Sequence, residues 1–209
     1  TIDRVSDPRV LPLLPTDMND DARAVVDRYA TPRTSRNALH TLARNPALAD
    51  RVFPLANYLA NNSTLSPRHR TLLILRTAWL TQNDNLWATH ASRAAEAGLS
   101  DDEVRRVAAG PGDEWSDFED VLVGLADQLF RNSSITDLTW DLLSEAYSLE
   151  NMVDAVVTVA DITTQSILFN ALGIQPDESS AARLPTQTVG YRVVVPDREA
   201  ALTTPRVEP

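Results

Sequence analysis

Apolar residues recur at helical spacing through most of the chain and seldom alternate as they would in a strand. Ala22, Val25, Val26 and Tyr29 fall at i, i+3, i+4 and i+7 behind Asn19, which predicts a short capped helix. A second helix is expected over about 35–44. A third starts at Pro46, whose fixed φ suits a first helical turn, and runs to about Ala60 with a kink at Pro54. Ser66-Pro67 is a strong helix start, and the run TLLILRTAWL behind it is apolar nearly all round, so this helix should be central. Asn83-Asp84-Asn85 re-caps the chain for a helix expected to reach Ala97 and to end at Gly98. Ser100-Asp101-Asp102-Glu103 and Ser116-Asp117-Phe118-Glu119 each fit a capping box, the second opening a helix to about Phe130. Thr136 opens a helix to about Tyr147. Ser148 opens the last, which carries Val153, Val156, Val157, Ala160, Thr164, Ile167, Leu168 and Ala171 to Leu172 and stops at Gly173.

This pattern predicts an all-α helical bundle over 19–174, preceded by an arm and followed by a tail. Residues 1–18 hold three prolines and read as an extended arm laid on the surface. Residues 175–209 hold five of the 13 prolines, all from 176 onward, and read as an extended tail, its YRVVV stretch (191–195) forming one short extended segment. A tail without its own core docks on its own subunit or a neighbour, or stays disordered.

Composition narrows the chemistry. The 209 residues contain no cysteine, and all 19 basic residues are arginine. The chain therefore has no thiolate for redox or acyl-enzyme work and no lysine for a Schiff base. A net charge of -10 argues against general nucleic-acid binding, which needs a basic footprint. The longest uninterrupted apolar runs are a few residues, far short of the roughly 20 that span a bilayer. No charged-then-apolar signal segment opens the chain, and a cytoplasmic location is the expectation.

Three histidines exist, His40, His69 and His90, and none lies in a zinc-binding spacing, so no metal and no cofactor is expected. The most suggestive cluster is NDNLWATHASRAAEAGL (83–99). On one continuous helix, Asn83, Trp87, His90 and Ala94 share a face, aligning a carboxamide, an indole and an imidazole. His90 reads either as a satisfied, partly buried side chain or as a general acid/base, the role its near-neutral pKa suits. Trp87 reads as core or as a ligand wall, and Asn83 as a helix cap or a ligand contact. Arg76 lies inside an apolar helix and must be paired. Its partner is an acid on another helix, Asp161 among the candidates, or a substrate carboxylate gripped by two hydrogen bonds. Asp161 itself is a partner for Arg76, a site acid or solvent-facing; His69 is expected to be exposed.

Residues 65–111 resemble the core of the carboxymuconolactone decarboxylase family, which shares its fold with the alkylhydroperoxidase D proteins. The resemblance rests on LSPR (65–68), the I-L-R-x-A-W-L-T run (74–81), W-A-x-H (87–90) and AGLSDDE (97–103). It extends upstream through NALHTLARNPAL (37–48), downstream through ADQL and ITDLTW (126–140), and to the closing TTPRVEP. It implies an all-α subunit built on a helical hairpin, a trimer or hexamer, and a small-molecule site between the LSPR helix and the W-x-x-H helix. Peroxidase members carry C-x-x-C-x-x-x-H, and the positions matching their cysteines are Asn83 and Leu86. Where many members have P-R-E-R-E this chain has P-R-H-R-T, so Thr71 stands in place of a proton-relay glutamate and His90 alone remains of the relay. The resemblance therefore implies a lyase-like enzyme with His90 and Arg76 as catalytic groups and Asn83, Trp87, Thr71 and Leu86 against the substrate. A divergent isomerase, dehydratase or cyclase, and a non-catalytic ligand-binding oligomer, are the alternatives.

Overall fold

Residues 7–183 are described by the computed structural model, and its architecture follows from the helix spanning Pro67–Leu80 (α4). The Ser66 hydroxyl accepts a hydrogen bond from the His69 amide, and Pro67 occupies the first turn, where no donor is needed. Behind this start, Leu72, Leu73, Ile74, Leu75, Ala78 and Leu80 are all buried, so the helix is sealed on every side. Leu72, Ile74, Leu75 and Ala78 pack into a core shared with α1 (Asp20–Tyr29), α2 (Arg36–Leu42), α3 (Pro46–Asn61) and α5 (Asp84–Ala91). Leu73 and Leu80 face a second core built with α7 (Asp117–Asn132), α8 (Asp137–Ser144) and α9 (Leu149–Leu172). Between them α6 (Asp101–Ala109) packs on α4 through Val107. The fold is all-α.

Caps fix most of the boundaries. Asn19, Ser35, Asn45, Asn83, Ser100, Ser116, Thr136 and Ser148 each accept a backbone N–H of the first turn through the side chain. Three details differ from the sequence pattern. The helix expected to reach Ala97 ends at Ala91, because the Ser92 hydroxyl bonds the Thr89 carbonyl and Arg93 leaves helical geometry; a 3-10 turn over Ala94–Ala97 then leads to Gly98 at φ 80°. Ser116 caps α7, but the Glu119 carboxylate does not return to the cap backbone; it accepts from Arg68 Nε at 2.6 Å instead. The helix that opens at Thr136 stops at Ser144, short of Tyr147, whose hydroxyl contacts His69 Nδ1 at 2.8 Å. His69 is thereby half-buried against Tyr147 and Phe118, not exposed.

α9 is long and apolar enough to cross a membrane by length and composition, although no single apolar run suggested it. Half of that window is buried inside the protein, where Asp154 and Asp161 interrupt its apolar face. The arm from residue 7 to 18 lies across α2 and the end of α9. Arg9 and Val10 donate to the Leu172 carbonyl, Leu13 donates to the His40 carbonyl, and His40 Nδ1 lies 2.8 Å from the Leu13 carbonyl. Residues 175–183 return onto α2 and α5: Asp177 accepts from the Arg36 and Asn37 amides, and Trp87 Nε1 donates to the Arg183 carbonyl. The YRVVV segment lies outside the described residues.

Arg68 ties α4 to α6 and α7 by bridging Glu103 at 2.5 Å and Glu119 at 2.6 Å. The Glu103 carboxyl is held down to about 2, first by the hydrogen bond from Arg68 and next by that from the Ser100 amide. A folded pKa below the unfolded value stabilises the fold above the ordinary carboxylate range, and that contribution is lost as pH falls through the folded value. Thermal unfolding is therefore expected to drop between roughly pH 4.5 and 2, and Arg68→Gln to flatten this dependence. An unchanged acid limb in the variant would contradict the assignment.

Candidate functional site

Between the 29–35 loop and helices α3, α4, α5 and α9 lies a cavity of about 620 Å³, partly open to solvent. That volume suits a ligand of small-molecule size. Its apolar wall is formed by Phe53, Ile74, Leu86, Ile162 and Phe169. α4 contributes Arg70, Thr71 and Ile74, the last standing one helical turn from both others at i+4 and i+3. α5 contributes Asn85, Leu86, Thr89 and His90, and α9 contributes Thr158, Asp161, Ile162, Gln165 and Phe169.

Three ionisable groups on this wall lack the partners that buried charges normally have. His90 is half-buried, and among the described residues neither ring nitrogen makes a hydrogen bond. Its pKa is pushed down to about 4, by burial first and then by the Arg70 and Arg93 cations, so the ring is neutral at neutral pH. Arg70 is half-buried with no ion pair among the described residues; burial and the nearby Arg33 lower its pKa, yet a guanidinium keeps its charge. Asp161 is 8 % exposed, and its one donor is Gln165 Nε2, 2.6 Å from Oδ2. Burial raises its pKa, and the Gln165 hydrogen bond only partly opposes this. Arg93 also lines the cavity, donating to the Pro32 carbonyl, and Arg33 pairs with Glu96 at 3.7 Å. Among the described residues no three histidine, aspartate or glutamate side chains converge as metal ligands.

Of the six residues expected at the site, Thr71, Leu86 and His90 line this cavity, and Arg76, Asn83 and Trp87 do not. Arg76 is 4 % exposed and fully engaged. Its Nε and Nη2 donate to the two Asp127 oxygens at 2.7 and 2.9 Å, and Nη1 donates to the Val107 and Ala108 carbonyls. It clamps α4 to α6 and α7, and its carboxylate partner is Asp127, not Asp161. Gly110, at φ 100°, lies so close that a Cβ there would meet Nη2 at 2.7 Å. Asn83 caps α5 and donates to Asn170 Oδ1 of α9 at 2.8 Å. Trp87 is buried against Trp79, ring centroids 5.4 Å apart, with its N–H spent on Arg183. Thr71 turns its hydroxyl to the Pro67 carbonyl, as helical threonines commonly do. The cation the site does possess, Arg70, was missed. Its one signal is that it precedes Thr71 and stands one helical turn before Ile74, on a different side of α4 from Arg76.

Comparison with known proteins bears on the fold. Residues 46–112, from α3 to just beyond α6, match the carboxymuconolactone decarboxylase family. No curated protein sequence matches the chain. Solved structures do. An uncharacterised peroxidase-related protein from Ralstonia eutropha with an alkylhydroperoxidase D core superposes with TM-score 0.69 at 18% identity, over 86% of this chain and 100% of that one. The debrominase Bmp8 in complex with 2,3,4-tribromopyrrole gives TM-score 0.65 at 15% identity, over 87% and 97%. A protein of unknown function from Agrobacterium tumefaciens, described as an antioxidant defence protein of the same kind, gives 0.60 at 19%, over 65% and 94%. At such identities these likenesses establish the fold. Residues 46–112 thus match the carboxymuconolactone decarboxylase family model, and the chain as a whole has the alkylhydroperoxidase D-like fold.

Proposed function

We propose that the protein is an enzyme that moves a proton on a small carboxylate-bearing carbonyl or lactone compound, without thiol chemistry and without a resident cofactor. The observation that carries this reading is the pairing, on one cavity, of a neutral imidazole and a guanidinium that have no hydrogen-bond or ion-pair partner among the described residues. Arg70 takes the anchoring role first expected of Arg76. It attracts an anion locally, although the chain as a whole carries -10. His90 takes a proton from substrate carbon, and Arg70 stabilises the negative charge that develops, in a site whose apolar wall weakens competition from water. The absence of cysteine removes thiol peroxidase activity from the alternatives. The family of residues 46–112 supports a decarboxylase-like lyase. Leu138 and Leu142 on α8 and Leu149, Val153 and Ile167 on α9 are exposed, which supports the homo-oligomer that the family resemblance implies.

Ligand-observed NMR titration with benzoate and 2-oxobutanoate tests the anchor. A charge-assisted hydrogen bond contributes about 1.5–3 kcal/mol, so Arg70→Met is expected to weaken binding roughly 10–100-fold. Equal affinity in wild type and variant would remove Arg70 from the site.

A further inference from the structure

We propose that Asp161 and His90 form an acid–base pair on the cavity wall, and that the reaction they serve is a proton shift within an anionic carbonyl substrate, an isomerisation by way of an enol. This deepens the reading above and rests on it.

The geometry assigns Asp161 this part. It lies nine-tenths buried on α9, lines the same cavity as His90, and has no cation bound to it among the described residues. Among the described residues only Oδ2 is held, by Gln165, and Oδ1 has no hydrogen-bond partner there. A structural carboxylate at such depth normally has a cation or several donors. Asp154, about two turns earlier on the same helix, shows the contrast: its Oδ2 accepts from the Thr64 amide, the Thr64 hydroxyl and the Ser63 hydroxyl. The other charged or titratable groups on the cavity wall are Arg33, Arg70, Arg93, Glu96 and Tyr29, and none of them bonds to Asp161. Burial shifts Asp161 toward its protonated form and His90 toward its neutral form, the directions that an acid and a base on one wall require.

The step balances without a co-reactant. His90 removes the proton from the carbon beside the carbonyl, and that C–H electron pair becomes the carbon–carbon double bond of an enol. The carbonyl π pair takes the proton of Asp161. In the return half, for a substrate with a carbon–carbon double bond starting at the next carbon, the pair of that bond takes the imidazolium proton at its far end. The enol pair shifts to become the new carbon–carbon double bond, and the O–H pair restores the carbonyl as the Asp161 carboxylate recovers the hydroxyl proton. Both groups end as they began. Substrate binding assists the base: a carboxylate on Arg70 neutralises one of the two cations that lower the His90 pKa.

The test uses 2-oxobutanoate in D2O, following exchange of its methylene protons by NMR with the intact protein. Asp161→Asn keeps the size of the side chain and an acceptor for Gln165, and its thermal unfolding at neutral pH should be no lower than wild type. Wild-type exchange above the buffer rate is expected, reduced tenfold or more in Asp161→Asn, with a wild-type rate that falls at high pH as Asp161 ionises. Infrared spectra of the unliganded protein at neutral pH should show a protonated-carboxyl carbonyl band that disappears in Asp161→Asn. Exchange that survives Asp161→Asn but not His90→Ala overturns the pair and leaves the single-base reading. Binding of 2-oxobutanoate without any exchange overturns the enol step, and absence of binding overturns the anion site beneath it.

Discussion

Arg76→Met is expected to lower the free energy of unfolding by about 3–5 kcal/mol, the cost of leaving a buried charge without its partner. The variant strands Asp127, whose two oxygens both accept from this guanidinium, and frees the Val107 and Ala108 carbonyls at the end of α6. Arg131 also reaches Asp127 at 2.9 Å, but from a half-exposed position where it offsets little. Denaturant unfolding of wild type and variant measures the loss. Adding Asp127→Leu to Arg76→Met should recover part of it, since an apolar pair of similar volume often replaces a buried ion pair at small cost. A loss under 1 kcal/mol in the single variant would contradict the clamp.

His90→Ala is expected to behave in the opposite way. The ring has no hydrogen bond to lose among the described residues, so stability should change little. Removing a general base typically costs 10²–10⁴ in rate, and exchange of the 2-oxobutanoate methylene protons is the measurement that reads it. The neutral imidazole also sets a pH limit. With a folded pKa of about 4, His90 is protonated only in acid, so the exchange rate should hold on the acidic side until pH approaches that value. A rate unaffected by His90→Ala would remove the residue from the mechanism.

The two arginines show why the site was only partly legible in the sequence. Caps and stops are local, and Ser66-Pro67, Ser100 to Glu103, and Ser148 act as their spacing predicts. The need to pair Arg76 was equally plain, because an apolar helix cannot hold a bare guanidinium. Which acid satisfies it depends on how α7 lies against α4, and no periodicity on either helix encodes that. Trp87 and Asn83 were drawn onto the His90 face by counting along one helix. α5 begins only after Asn83, and its packing turns Asn85, Leu86 and Thr89 toward the cavity while Trp87 meets Trp79. Asp161 was visible as a carboxylate in an apolar helix, with its role open among three readings. That no cation among the described residues reaches it is a tertiary fact. Thr71 and Leu86 line the cavity where relatives would carry a glutamate and a cysteine, so the resemblance located the place more surely than the chemistry.

The cavity wall has two origins along the chain. Residues 46–112 supply the face with Arg70, Thr71, Leu86 and His90. The loop around Pro32 and the α9 stretch from Thr158 to Phe169 supply the rest, outside the matched segment. The proposed base and anchoring cation thus lie in the matched segment, whereas the Asp161 carboxyl and the Ile162 and Phe169 part of the apolar wall come from α9, which is tied to that segment by packing and by hydrogen bonds such as Thr81 to Ser166 and Asn83 to Asn170. Such a division allows evolution to retool the reaction by altering 158–169 while the hairpin stays fixed, and it marks that stretch as the place to redesign substrate choice.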